Sequence, residues 1–270
     1  MGRVEREEVM QAHGLQLALL SYLVSAGLFV FASAFKNAAL ERPADIFFRV
    51  GFLFHTLLVG FRWHEAGRPP FANMYEALVL MAWCIALVYV VFSLSGRVRF
   101  LGKAVSVLLL LMMNFIATLD STITPLMPAL QSRWISIHVV TYFIGYGGLT
   151  LSFVCGLYYL FARRAERPLA PSLDLLGYRF IAFAFPFLTI GMTTGSVWAN
   201  AAWGTYWSWD PKETCSLITW LVYALYLHLR VFRGWKESKA AYLSIFGYLA
   251  VLFTFVGVNF ILPGLHSYAS

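Results

Sequence analysis

WISIHVVTYFIGYGGLTLSFVCGLYYLFA, residues 134–162, contains no Asp, Glu, Lys or Arg. A helix needs roughly 20 apolar residues to cross the hydrocarbon core of a bilayer, and this run exceeds that length. Working outward, the same absence of charge recurs between Glu8 and Lys36, between Arg179 and Asp210, and from Lys239 to the C-terminus. Shorter gaps run from Glu76 to Arg97, Lys103 to Asp120 and Glu213 to Arg230. The chain is 60% hydrophobic, 12% charged and has a mean hydropathy of +0.71, whereas a soluble domain carries about 25% charged residues. Its solvent is membrane lipid.

Eight spanning helices are expected, over about 14–35, 45–62, 73–95, 102–119, 134–161, 176–197, 212–231 and 240–261. The fold class is therefore all-α, a polytopic helical bundle in the membrane. Asp45 and Arg49 shorten the apolar core of the second span, while Pro43 and Pro211 sit where proline is tolerated, near a helix start. No run is long enough for a separate soluble domain, so residues 1–270 read as one membrane domain, with a tryptophan-rich loop at 198–213 inside it.

Basic residues orient such a bundle, because cytoplasmic loops carry the excess of Lys and Arg. One set of loops holds 14 of the 20 basic residues: Lys36, Arg42, Arg49, Arg97, Arg99, Lys103, Arg163, Arg164, Arg167, Arg179, Arg230, Arg233, Lys236 and Lys239. The opposite set holds only Arg3, Arg6, Arg62, Arg68, Arg133 and Lys212. The first set is expected in the cytoplasm, which places both termini and the 198–213 loop outside. The net charge of +7 is then a topological signal and no sign of nucleic-acid binding, which would need the charge on one soluble face. Acidic residues precede the first apolar run and no small-residue cleavage site follows, so no cleavable signal is expected. Cys84, Cys155 and Cys215 are scattered in apolar segments without a CxxC pair and read as buried, inert thiols.

Five of the nine tryptophans, Trp198, Trp203, Trp207, Trp209 and Trp220, fall close together. Interfacial belts account for isolated Trp63, Trp83, Trp134 and Trp235 near helix ends. They account poorly for GSVWANAAWGTYWSWDPKET, residues 195–214, where Trp203, Tyr206, Trp207 and Trp209 fall within seven residues, with Gly204 giving backbone freedom and Pro211 starting the next helix. Such a slab of rings suits a large flat aromatic ligand held by stacking. On the expected topology His138 and His266 lie on the same side as this loop. Taken alone, either residue is more often a hydrogen-bonded interfacial histidine; taken with the loop between them, the pair across a flat aromatic slot reads as an axial-ligand arrangement for haem iron. His228, in LYLHLR inside the bilayer, reads either as part of a functional path or as a ring satisfied by a neighbouring carbonyl. His55 near mid-membrane poses the same choice; His64 reads as a solvated loop residue, and His13 belongs to the N-terminal helix entry with no specific role. Asp210, ahead of Pro211 and Glu213, reads first as a helix N-cap with a partial capping box. Lys212 and Arg133 suit haem propionates and lipid headgroups equally.

The stretch WGTYWSWDPKETCSLITWLVYALYLHLR, residues 203–230, closely resembles the signature of the haem-handling "WWD" superfamily, and its YWSWDPKE core resembles the CcsA/ResC branch of System II cytochrome c synthases more than the CcmC or CcmF branches of System I. RWHEAGRPPFANMYEALVLMAW (62–83) and GLHSYAS (264–270) resemble further family segments, so the likeness covers roughly residues 50–270. The resemblance implies haem b as bound substrate, held on the outer side by His138 and His266 against Trp198, Trp203, Tyr206, Trp207, Trp209 and Asp210. His228 matches an intramembrane histidine of the family, whose axial partner comes from a CcsB/ResB subunit. Without a fused partner half, the chain is expected to be incomplete alone. The implied activity is haem delivery and covalent attachment to the CxxCH segment of apocytochrome c, a haem lyase reaction in a bacterial plasma or thylakoid membrane with no nucleophile from this chain. The alternatives are a CcmC-like haem exporter or chaperone without attachment activity, and a quinone- or haem b-binding respiratory subunit.

Overall fold

A computed structural model describes residues 3–96, 98–165 and 170–261. Among them are helices α1 (Arg3–Ala34), α2 (Glu41–Ala66), α3 (Met74–Ser93), α4 (Gly102–Ile116), α5 (Arg133–Arg164), α6 (Ala170–Trp203), α7 (Pro211–Phe232) and α8 (Glu237–Leu252). The last continues through a π turn at Phe253–Gly257 into α9, Val258–Ile261. Eight stretches are long and apolar enough to cross a membrane, and no strand occurs among the described residues. The all-α polytopic expectation holds. His266, Arg97 and Arg167 lie outside the described residues.

The helices pack as two units, Met1–Pro125 and Leu126–Ser270. In the first, α3 is the enclosed centre, consistent with its unbroken apolar sequence. The second span runs longer than its apolar core because its charges are neutralised inside the helix pair. Asp45, 5% exposed, accepts from Arg49 Nε at 3.0 Å and from Tyr89 Oη at 3.2 Å, while Arg49 Nη2 donates to Ser93 Oγ at 2.9 Å.

A second charged cluster joins α2, α3 and the 117–125 loop. Glu76 is fully buried one turn into α3, whose N-cap Asn73 accepts from the Glu76 amide at 2.9 Å. Its Oε1 accepts from Arg62 Nε at 3.1 Å and Nη2 at 3.0 Å; its Oε2 accepts from Arg68 Nη1 and the Ala72 amide, both at 2.7 Å. The guanidinium groups reach onward to Gln11 Oε1 at 2.6 Å, the Ser121 carbonyl at 2.8 Å and the Thr124 carbonyl at 2.8 Å. Burying charge is costly unless every donor finds an acceptor, and here one carboxylate and a ring of carbonyls supply them. The sequence expectation treated Arg62 and Arg68 simply as sparse loop charges.

In the second unit α5 is central, and its long contact with α6 rests on small residues. At one end Asp174 of α6 takes Arg230 of α7 in a bidentate pair, 2.8 and 2.7 Å, and caps the Glu237 amide of α8 at 2.9 Å. Helix α7 is the least enclosed, with 17% of its apolar window buried. Trp83 departs from the interfacial-belt expectation: its Nε1 donates to Thr56 Oγ1 at 2.9 Å and its ring stacks on Phe52, so it packs α3 against α2.

Candidate functional site

Helix α6 does not stop near 197 but runs to Trp203, and Gly204 at φ 78° ends it. Trp198 explains the extra turns. It is 3% exposed, its Nε1 donates to the Ala129 carbonyl at 2.7 Å, and its ring meets Trp203 edge-on at 4.7 Å. The loop proper is therefore 204–210.

Glu213, on the first turn of α7, holds this loop in place. Its Oε2 accepts from the Ser208 amide at 2.8 Å, Ser208 Oγ at 3.2 Å and the Asp210 amide at 3.3 Å. Asp210 in turn caps α7, accepting from the Lys212 amide at 2.9 Å, and the capping box is complete. Between these anchors Trp209 adopts φ 60°, a left-handed conformation that costs a non-glycine residue about 1–3 kcal/mol. Its indole is 70% exposed and lies edge-on to Trp207 at 5.9 Å; Tyr206 is 59% exposed. A strained backbone thus carries an indole out of the protein, and the carboxylate network beneath it maintains the strain.

At the same end of the unit, His138 on α5 is half-buried. Its Nδ1 lies 2.7 Å from the Gly191 carbonyl of α6. The ring sits 6.1 Å from Trp198 with planes 23° apart, and 4.9 Å from Tyr142. The arrangement gathers His138, Trp198 and Trp203 at the base of the loop and Tyr206, Trp207, Trp209 and Asp210 within it. It offers an imidazole and broad aromatic faces. Among the described residues no group of His, Cys, Asp and Glu is disposed to hold a bare metal ion. The second expected ligand, His266, lies outside the described residues. Sequence reading missed Gly191 and Gly195; the small-residue spacing GMTTG, against the His138–Tyr142 pair one turn apart, was the available signal.

His228 lies elsewhere on α7, exposed, with Phe232 beside it at 5.0 Å. His55 is fully buried in the first unit, with Nε2 3.1 Å from the Val79 carbonyl and Nδ1 3.4 Å from Tyr22 Oη. A carbonyl only accepts, so Nε2 donates and Nδ1 accepts the tyrosine hydroxyl; the ring is satisfied as a core histidine. Cys84 and Cys155 are buried, as expected.

The class is that of the cytochrome c assembly proteins. The family model for the cytochrome C assembly protein matches residues 71–266, and the chain belongs to that family. Its relatives place it in the CcsA type. It is 40% identical to the cytochrome c biogenesis protein CcsA of Chlamydomonas reinhardtii, over 98% of this chain and 76% of that one. It is 33% identical to CcsA of Synechocystis sp. (93% and 95%) and 32% identical to CcsA of Mesostigma viride (99% and 98%). The fold is similar to a solved structure of the cytochrome c haem lyase CcmF, with a TM-score of 0.68 at 21% identity, over 93% of this chain and 47% of that one. The protein is an integral membrane component of cytochrome c maturation.

Proposed function

We propose that the protein receives haem b and presents it on the extracytoplasmic side for attachment to the CxxCH segment of apocytochrome c, acting with a CcsB/ResB-like membrane subunit. The observation that carries this reading is the His138 seat: an imidazole with Nδ1 on the Gly191 carbonyl, beside Trp198, at the base of a loop that extends Trp209 outward. His138 and His266 hold the iron, and Trp203, Tyr206, Trp207 and Trp209 hold the macrocycle by stacking and dispersion. The chain's task is placement. Each substrate thiol adds across a haem vinyl double bond: the sulfur bonds to one carbon, the thiol proton goes to the other, and nothing is oxidised. The CxxCH histidine then takes the iron position that one protein imidazole gives up. His228 holds haem during loading, with its axial partner on the second subunit; His55, already satisfied by Val79 and Tyr22, is not a ligand.

Purification with the partner, followed by haem spectra and an assay for covalent cytochrome c, tests this. His138→Ala should lower both bound haem and product, and added imidazole should partly restore them by refilling the vacated coordination position. His228→Ala should reduce the haem that reaches an intact external site. If His138→Ala leaves haem content and attachment at wild-type levels, the ligand assignment is wrong.

A further inference from the structure

The contact between His138 and α6 is more specific than helix packing requires. The Gly191 carbonyl sits inside α6, where the helical ladder already directs one donor, the amide four residues on, to it. That residue is Gly195. A Cβ built on Gly195 would lie 2.4 Å from His138 Nδ1 and 2.6 Å from its Cε1, inside any tolerable contact. The Thr194 hydroxyl also reaches this carbonyl, at 3.2 Å, but donates more closely to the Ile190 carbonyl, at 2.8 Å; the approach from α5 is open because residue 195 carries no side chain. One turn away, a Cβ on Gly191 would lie 2.5 Å from Tyr142 Cδ2, so two successive rings of α5 fill two successive notches of α6.

The polarity of the contact fixes the tautomer. A carbonyl oxygen has no hydrogen to give, so at 2.7 Å Nδ1 must be the donor and the neutral ring carries its lone pair on Nε2. Trp198, itself fastened through Nε1 to the Ala129 carbonyl, sets the ring plane from one side, and Tyr142 meets it from another. A metal-binding imidazole whose other nitrogen donates to a carbonyl is a stronger and better oriented ligand, and loss of such a partner costs about 10–100-fold in affinity or activity.

We propose that Gly195 is a positioning residue for haem: by baring the Gly191 carbonyl it fixes the His138 tautomer and ring plane that direct Nε2 at the iron. The inference rests on the reading of His138 as an iron ligand. A glycine that merely packs helices would affect folding and leave the iron coordination alone, so the test must read the coordination.

The experiment compares Gly195→Ala, His138→Ala and the double variant, each co-expressed with the CcsB/ResB-like partner. Haem content and the absorption spectrum are measured with and without added imidazole. Gly195→Ala should lose about 10–100-fold in haem retention and recover with imidazole, as His138→Ala does. The double variant should be no worse than His138→Ala, because Gly195 acts only through that ring. It also removes the clashing ring, so it reports on the proposal even where Gly195→Ala alone accumulates poorly. Wild-type haem retention in Gly195→Ala, with His138→Ala defective, would overturn the role of Gly195. So would a double variant that imidazole fails to load although it loads His138→Ala. Normal haem in His138→Ala would instead remove the ligand reading beneath it.

Discussion

Glu76→Ala isolates what the buried charge cluster contributes. The substitution removes the shared acceptor of Arg62 Nε and Nη2, Arg68 Nη1 and the Ala72 amide, and leaves two guanidinium groups, 0% and 8% exposed, with backbone carbonyls and Gln11 alone. Breaking a buried ion pair by deleting one partner costs about 3–5 kcal/mol. The loss should be confined to the first unit, and Cys84, fully buried in α3, reports its opening. In a background lacking Cys155 and Cys215, the labelling rate of Cys84 in detergent follows the open fraction. At 1.36 kcal/mol per tenfold, that rate should rise by about two to four orders of magnitude. Glu76→Gln, which keeps the shape and one acceptor oxygen, should fall between. Adding Arg68→Met to Glu76→Ala should recover part of the loss, because it withdraws one stranded charge. Labelling of Glu76→Ala within threefold of wild type would refute the reasoning and make the cluster incidental to stability.

Other expectations follow from the loop, the core histidine and the 117–125 segment. Trp207→Ala and Trp209→Ala should each weaken haem binding several-fold, since a stacked pair is worth about 0.5–1.5 kcal/mol beyond its buried area; equal effects from Trp63→Ala and Trp235→Ala would reduce the loop to membrane anchoring. Trp209→Gly should cost the same haem affinity while raising thermal stability, because glycine takes φ 60° without strain. His55→Leu should destabilise the first unit by about 1–3 kcal/mol and leave haem content intact; a severe haem defect would reinstate it as a ligand. The Asp120 carboxyl is held below its usual range by hydrogen bonds from the Thr122 hydroxyl and amide. Its ordering of that turn is present above the ordinary carboxylate range, near pH 4, and is lost as pH falls through the lowered value. Asp120→Asn should remove that acid dependence from proteolysis of the 117–125 segment, as read by limited digestion between pH 2 and 6.

Charge-free length made the spans legible in the sequence, and turn chemistry made the start of α7 legible: Asp210, Pro211 and Glu213 stand where a capped helix begins. The end of α6 was not legible. No local signal in VWANAAW says that the helix continues, and its extra turns come from Trp198 reaching the Ala129 carbonyl, a contact 69 positions away. For the same reason Trp198 read as part of the loop although it is buried beneath it. The Arg62–Glu76–Arg68 cluster was hidden because each charge sits at a helix end, where topology alone explains it; only the pairing shows that they are interior. The His138 seat was half legible. The histidine and the aromatic loop stood out, but a glycine's value lies in what approaches it.

Glu213 joins the loop to α7 without slack. Its carboxylate grips the amides on both sides of Trp209, while its own backbone belongs to the helix, so indole and helix move as one piece. From Glu213 to His228 the helix rises roughly 22 Å, and over that length α7 is the least enclosed span of the chain. A subunit that docked against the exposed length of α7 and turned it about its axis would move Trp209 with it.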